Sequence, residues 1–174
     1  LCGSLGDEDS WVRQQAADAL MRFDSRLADN ALLVSLKQES PTARAWSLHV
    51  IAERGQSEAA LDVVSILEDE NRAVRLSAVR TLYRLGQSTS IAPVRMFMRD
   101  PDMHLRGAAA YALGALGDRE SVPALSLALT DFTPCVRRNA AWSLLELGEA
   151  LQLVASMTQD ADAGVRLFAT IAQE

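Results

Sequence analysis

The chain has 174 residues, is 49% hydrophobic and carries a net charge of −6, its basic residues being sixteen arginines and a single lysine, Lys37. This is enough apolar material for one elongated domain, and the acidic balance excludes the basic stripe that tracking a nucleic-acid backbone requires. No apolar run reaches the roughly 18 residues of a membrane span and no stretch reads as a secretion signal, so neither nucleic acid nor membrane is an expected partner.

Arg13, Arg44, Arg75, Arg106 and Arg137 recur every 31 residues, and Arg166 follows after 29. A fixed period of this length marks stacked supersecondary units. Residues 1–6 come first; Leu1 and Leu5 align with Val63 and Leu67, so the segment reads as the tail of an earlier B helix. Five repeats follow at 7–37, 38–68, 69–99, 100–130 and 131–159, with a partial repeat at 160–174. Counting from each arginine, position −4 holds Asp9, Ser40, Asn71, Asp102, Thr133 and Asp162, side chains that accept from the free N–H groups opening a helix. Pro41 and Pro134 stand at the first helical position, where a missing N–H costs nothing. Helix A of each repeat starts there. Its apolar positions −1, +3, +4, +7 and +10, for example Leu105, Ala109, Ala110, Leu113 and Leu116, form one face. Glycine at +11 (Gly55, Gly86, Gly117, Gly148) ends it, with Asp24 in that place in the first repeat. A second helix, B, follows with Ile91, Val94 and Met98, then Val122, Leu125 and Leu129, in the third and fourth repeats. Residues 163–174 form an A helix without its B partner. The chain reads as a segment of a longer solenoid, whose uncovered end faces are expected to fray or self-associate.

The cleanest copy, Asp100 to Leu129, follows the pattern D-x-D-x-x-V-R-x-x-A-A-x-A-L-x-x-L-G-D-x-x-x-V-P-A-L and resembles the short HEAT-like repeats first noted in phycobilisome lyases. The resemblance covers the whole chain. It implies an all-α, right-handed α-solenoid of helix-turn-helix repeats, with A helices on the convex side and B helices lining the concave side. It specifies a fold strongly and a function weakly.

Asp7, Asp69, Asp100, Asp131 and Asp160 stand at position −6. With the arginine column they predict an Asp–Arg ladder between neighbouring turns, because the guanidinium fork matches a carboxylate. These arginines are read as stack-formers rather than substrate clamps. Cys2 and Cys135 lie four repeats apart; at about 8–10 Å per packed helix they cannot form an intrachain disulfide, and a reducing, cytoplasmic setting follows. Chemistry is scarce. His49 precedes Val50 and His104 precedes Leu105, which departs from the His-Glu pairs of the HEAT-like metal oxygenase deoxyhypusine hydroxylase. There is no phosphate loop, nucleophile elbow or paired-cysteine motif. No cofactor, metal or catalytic residue is expected.

Candidate partner residues lie on the stripe of helix A opposite its core face, at −2, +2, +5 and +9. All three tryptophans fall there, Trp11, Trp46 and Trp142, together with His49, Arg80, Tyr111 and, in the last unit, Phe168. Exposed aromatics carry interface energy, although large side chains on an outer helix also lie flat over their neighbours. The B helices offer the other face, where Met96 suits a surface that repacks around varied partners. The expectation is a non-catalytic scaffold binding a protein or peptide. The alternatives are a phycobilin lyase-like chromophore-handling protein and a regulatory segment of a larger enzyme.

Overall fold

A computed structural model of the chain describes residues 1–23 and 26–174. All regular elements among them are helical. The stack divides into two units, Leu1–Ser90 and Ile91–Glu174. The first holds the A helices α1 (Ser10–Arg22), α3 (Pro41–Arg54) and α5 (Arg72–Leu85), with the B helices α2 (Arg26–Ser35) and α4 (Ala60–Ser65). The second holds the A helices α7 (Met103–Ala115), α9 (Pro134–Leu147) and α11 (Ala163–Ile171). Its B helices are α6 (Ile91–Arg95), α8 (Val122–Ala128) and α10 (Leu151–Ala155). This is the α-solenoid of helical repeats that the period predicts. The B helices are short α segments, and 3-10 turns such as Ser57–Ala59, Ile66–Glu68 and Met96–Arg99 extend them. Residues 1–6 likewise make a 3-10 turn, Gly3–Gly6, with Leu5 fully buried.

Five of the six expected caps form: Asp9, Ser40, Asn71, Asp102 and Asp162 each accept from a backbone N–H of the first turn. Thr133 departs from the expectation. Its side chain makes no cap bond, and its hydroxyl instead accepts from the Arg106 guanidinium at 3.4 Å. The turns after α3, α5 and α9 place Gly55, Gly86 and Gly148 at φ 63°, 67° and 66°, the left-handed region where a Cβ is strained. The residue at that place in the first repeat, Asp24, lies outside the described residues. Ala150 adopts φ 52° just where the fifth repeat is shortened, at a cost of about 1 kcal/mol.

The arginine column does two jobs at once. In all six repeats one guanidinium nitrogen donates to the carbonyls at −6 and −5 of its own repeat, as Arg106 does to Asp100 and Pro101 at 3.0 and 3.1 Å. The other edge clamps the next repeat's acid: Arg44 on Asp69, Arg106 on Asp131 and Arg137 on Asp160, with N–O distances of 2.7, 2.8 and 2.7 Å. Each acid in turn accepts the backbone N–H two residues on, at Asn71, Thr133 and Asp162. The ladder thus sets the turn that presents the next helix.

The rung at Arg13 has no acid. Position −6 of the second repeat is Gln38, and the buried Arg13 Nε has no hydrogen-bond partner among the described residues. Gln38→Asp restores the acid. It is expected to add about 1 kcal/mol, or about 2–4 °C in melting temperature. The gain should shrink when Arg13 is alanine; an equal gain in that background would show that the new side chain acts without the rung.

Val136, Ala140, Ala141, Leu144 and Leu147 of α9 are buried, as are Val94, Leu125 and Leu129 of the B segments. Phe168, at +2 of the last unit, is half-buried and packs against this core.

Candidate functional site

The outer stripe sits beside the seams between successive A helices. At the α7–α9 seam the backbones approach closely. The Asn139 side-chain amide donates to the Gly107 carbonyl and the Ser143 hydroxyl to the Ala110 carbonyl, each at 2.8 Å. At the α3–α5 seam the Thr81 hydroxyl donates to the Leu48 carbonyl at 3.1 Å. Position +6 of one A helix therefore reaches +4 of the preceding one in both units. The repeat pattern did not reveal these bonds; a hydroxyl on an otherwise apolar face was the available signal.

Tyr111 and Trp142 meet at the outer edge of the α7–α9 seam. Their rings stack with centroids 4.3 Å apart and planes at 16°, a geometry worth about 0.5–1.5 kcal/mol beyond area. Both remain half-buried, and neither is among the buried residues of the core cluster around Ala110, Leu125, Ala140 and Leu144. In the first unit Trp46 meets His49 edge to face at 5.6 Å and 89°. The His49 ring nitrogen stands 3.9 Å from Glu53, and Arg84 donates to the same carboxylate at 2.6 Å. Hydrogen bonding to Arg84 holds the Glu53 carboxyl below its ordinary range, against a smaller opposing effect of burial. Trp11 projects from α1 with 68% of its surface exposed.

On the B side, Met96 is 80% exposed and Leu127 69%. A hollow of about 230 Å³ lies beside Leu127, lined also by Met98, Arg99, Ala124 and Ala128. Sequence reasoning passed over Phe132, which is exposed in the loop before α9 with the Arg106 guanidinium 5.1 Å from its ring centroid. The available signal was an aromatic at position −5, where Glu8, Glu39 and Glu70 stand in earlier repeats.

Of the carboxyls held below their ordinary range, Asp69, Asp131 and Asp160 belong to the ladder and Asp162 stands beside it. Burial is the largest single effect and opposes ionisation of Asp131 and Asp69, but the Arg106 and Arg44 forks together with the Thr133 and Asn71 N–H groups hold both below the ordinary carboxylate range. Asp162 is drawn down to about 2 by Arg138 and the α11 N–H groups. Among the described residues no three His, Cys, Asp or Glu side chains gather as a metal site, both cysteines are free thiols, and no helix is long and apolar enough to cross a membrane.

Among curated proteins no relative matches the sequence. Solved structures do match the fold. The chain superimposes on the YibA protein of Escherichia coli with a TM-score of 0.81 at 18% identity, covering 98% of this chain and 67% of that one. It matches the complex of CpcE and CpcF of phycocyanin lyase from Nostoc with a TM-score of 0.73 at 21% identity, covering 97% and 72%. A designed armadillo repeat protein in complex with the peptide (KR)4 gives 0.66 at 17% identity, covering 99% and 96%. The sequence itself matches the family described as HEAT repeats over residues 29–104 and 93–172. With its period, its arginine ladder and these matched spans, the chain belongs to the HEAT-repeat family.

Proposed function

We propose that the chain is a non-catalytic interaction scaffold that binds a protein or peptide partner on the outer stripe of its A helices. The observation that carries this reading is the Tyr111–Trp142 stack: two large aromatic side chains held in one geometry outside the core. Rigid aromatic pairs are the side chains through which interfaces gain most of their energy. The peptide-bound armadillo structure supports a peptide partner, since a helical-repeat protein of similar fold holds a peptide. Trp11 and Trp46 hold aromatic positions on the corresponding stripe of the first unit, and Met96 offers the adaptable contact of the B face.

The likeness to the phycocyanin lyase subunits leaves chromophore handling as the second reading. The exposed B-face residues Glu58 and Asp62 do not complement an anionic tetrapyrrole. The test is selection from a displayed random-peptide library, with free bilin as a parallel arm. The native protein is expected to enrich peptides sharing an apolar anchor and to leave the visible spectrum of bilin unchanged. Replacing Tyr111 and Trp142 together by alanine should weaken the enriched peptides about tenfold or more while melting shifts by only a few degrees. Equal binding by the double variant, with lowered stability, would assign the rings to closing the seam. A bilin spectral shift would favour the second reading.

A further inference from the structure

The two seams share a register but not an outer edge. Tyr111 and Trp142 stand at +5 in their repeats; the residues at +5 in α3 and α5 are His49 and Arg80. Where the rings stack at their seam, the histidine and arginine border a hollow of about 260 Å³, whose lining includes Ala45, His49, Ala52, Ser77, Arg80 and Arg84. Ala45 and Ala52 give it a shallow floor, and Trp46 stands edge-on to His49 at 5.6 Å.

The charges in this hollow are unevenly used. Arg84 is committed to Glu53 at 2.6 Å. Arg80 is exposed and has no hydrogen-bond or ion-pair partner among the described residues, whereas Arg44 in the same unit is clamped on Asp69. A chain of net charge −6 thus keeps a free guanidinium fork in a recess whose lining residue His49 meets the Trp46 ring. The fork matches a carboxylate bidentately. One uncompensated positive charge balances a monoanion; a dianion would stand against the Glu53 carboxylate.

We propose that the α3–α5 hollow is a subsite for one acidic side chain of a protein or peptide partner, with Arg80 as the bidentate contact and Trp46 beside the apolar residue that follows. This deepens the reading of the A-helix stripe as a partner surface and rests on it. The probe is acetyl-Leu-Glu-Leu-amide, followed by NMR at the Arg80 Nε–H and the His49 ring. Saturable shifts are expected at both. Acetyl-Leu-Gln-Leu-amide should bind about tenfold more weakly, as should the glutamate peptide to Arg80→Ala, since a charged hydrogen-bonded pair is lost in each. Arg80→Lys should recover part of the loss. Arg80 is exposed, so an unchanged melting curve for the variant shows that the fold persists.

The proposal is overturned if the glutamate peptide shifts neither group, or if Arg80→Ala binds it as tightly as the native protein. Tighter binding of inorganic phosphate would mark a general anion site, and tighter binding of acetyl-Leu-Leu with a free carboxylate would mark a chain-end site; either replaces it. The probe requires no cognate partner and no part of the Tyr111–Trp142 stack, so its failure is distinguishable from failure of the scaffold reading.

Discussion

Arg106→Ala is expected to cost about 3 kcal/mol and to lower the melting temperature by about 6–12 °C. The side chain of Arg106 is only 10% exposed and that of its partner Asp131 13%. Removal leaves a half-buried carboxylate facing a void and frees the carbonyls of Asp100 and Pro101. Breaking a buried pair costs more than the pair contributes, because the remaining charge stays desolvated. Arg106→Lys should recover a minor part, since an ammonium cannot reach the carbonyls and the carboxylate together. Arg13→Ala is the control; with no acid at Gln38, it should cost about 1 kcal/mol. Equal losses at Arg13 and Arg106 would mean that the carbonyl stitching, not the ladder, holds the turns.

The same rung sets the acid response. Asp131 has a folded-state pKa depressed below its unfolded value near 4, so its contribution is complete above that pH and is lost as pH falls through the folded value. Asp69 and Asp160 behave alike. Stability is therefore expected to fall below about pH 4. Arg106→Ala should fall less steeply there, because its Asp131 no longer titrates low.

Gly114→Ala should lose about 2 kcal/mol, although alanine is the better helix former by about 1 kcal/mol. A Cβ built on Gly114 falls 2.7 Å from the Ser143 Cα, and that neighbour is backbone. To admit the methyl, α9 must move away from α7. That movement breaks the bonds from Ser143 to Ala110 and from Asn139 to Gly107. Gly107→Ala, about two helical turns earlier on the same seam, meets nothing nearer than 3.5 Å and should be neutral or stabilising by about 0.5–1 kcal/mol. Thermal melting of the two variants side by side decides the matter: if Gly114→Ala melts as high as Gly107→Ala, the close approach of α7 and α9 is not a constraint.

Features that neighbouring residues settle among themselves could be read directly from the chain. A cap needs its own first turn, a turn glycine its own φ, and an apolar face its own period, so the fold, five of the six caps and the glycine stops were legible. The ladder was legible too, because its acid and arginine recur at a fixed offset. What runs across a seam was not. Thr133 left its cap for Arg106 because the guanidinium of the preceding repeat reaches it; Phe168 packs against the core cluster. The hydroxyl bonds from Thr81 and Ser143 depend on carbonyls about nine turns of helix away in sequence but adjacent in space. Position +5 shows the division most plainly. The sequence placed Tyr111, Trp142, His49 and Arg80 on one stripe, but only the packed seams decided that two rings would stack and that the other pair would border a hollow. Side-chain volume across an interface, not local preference, sets that outcome.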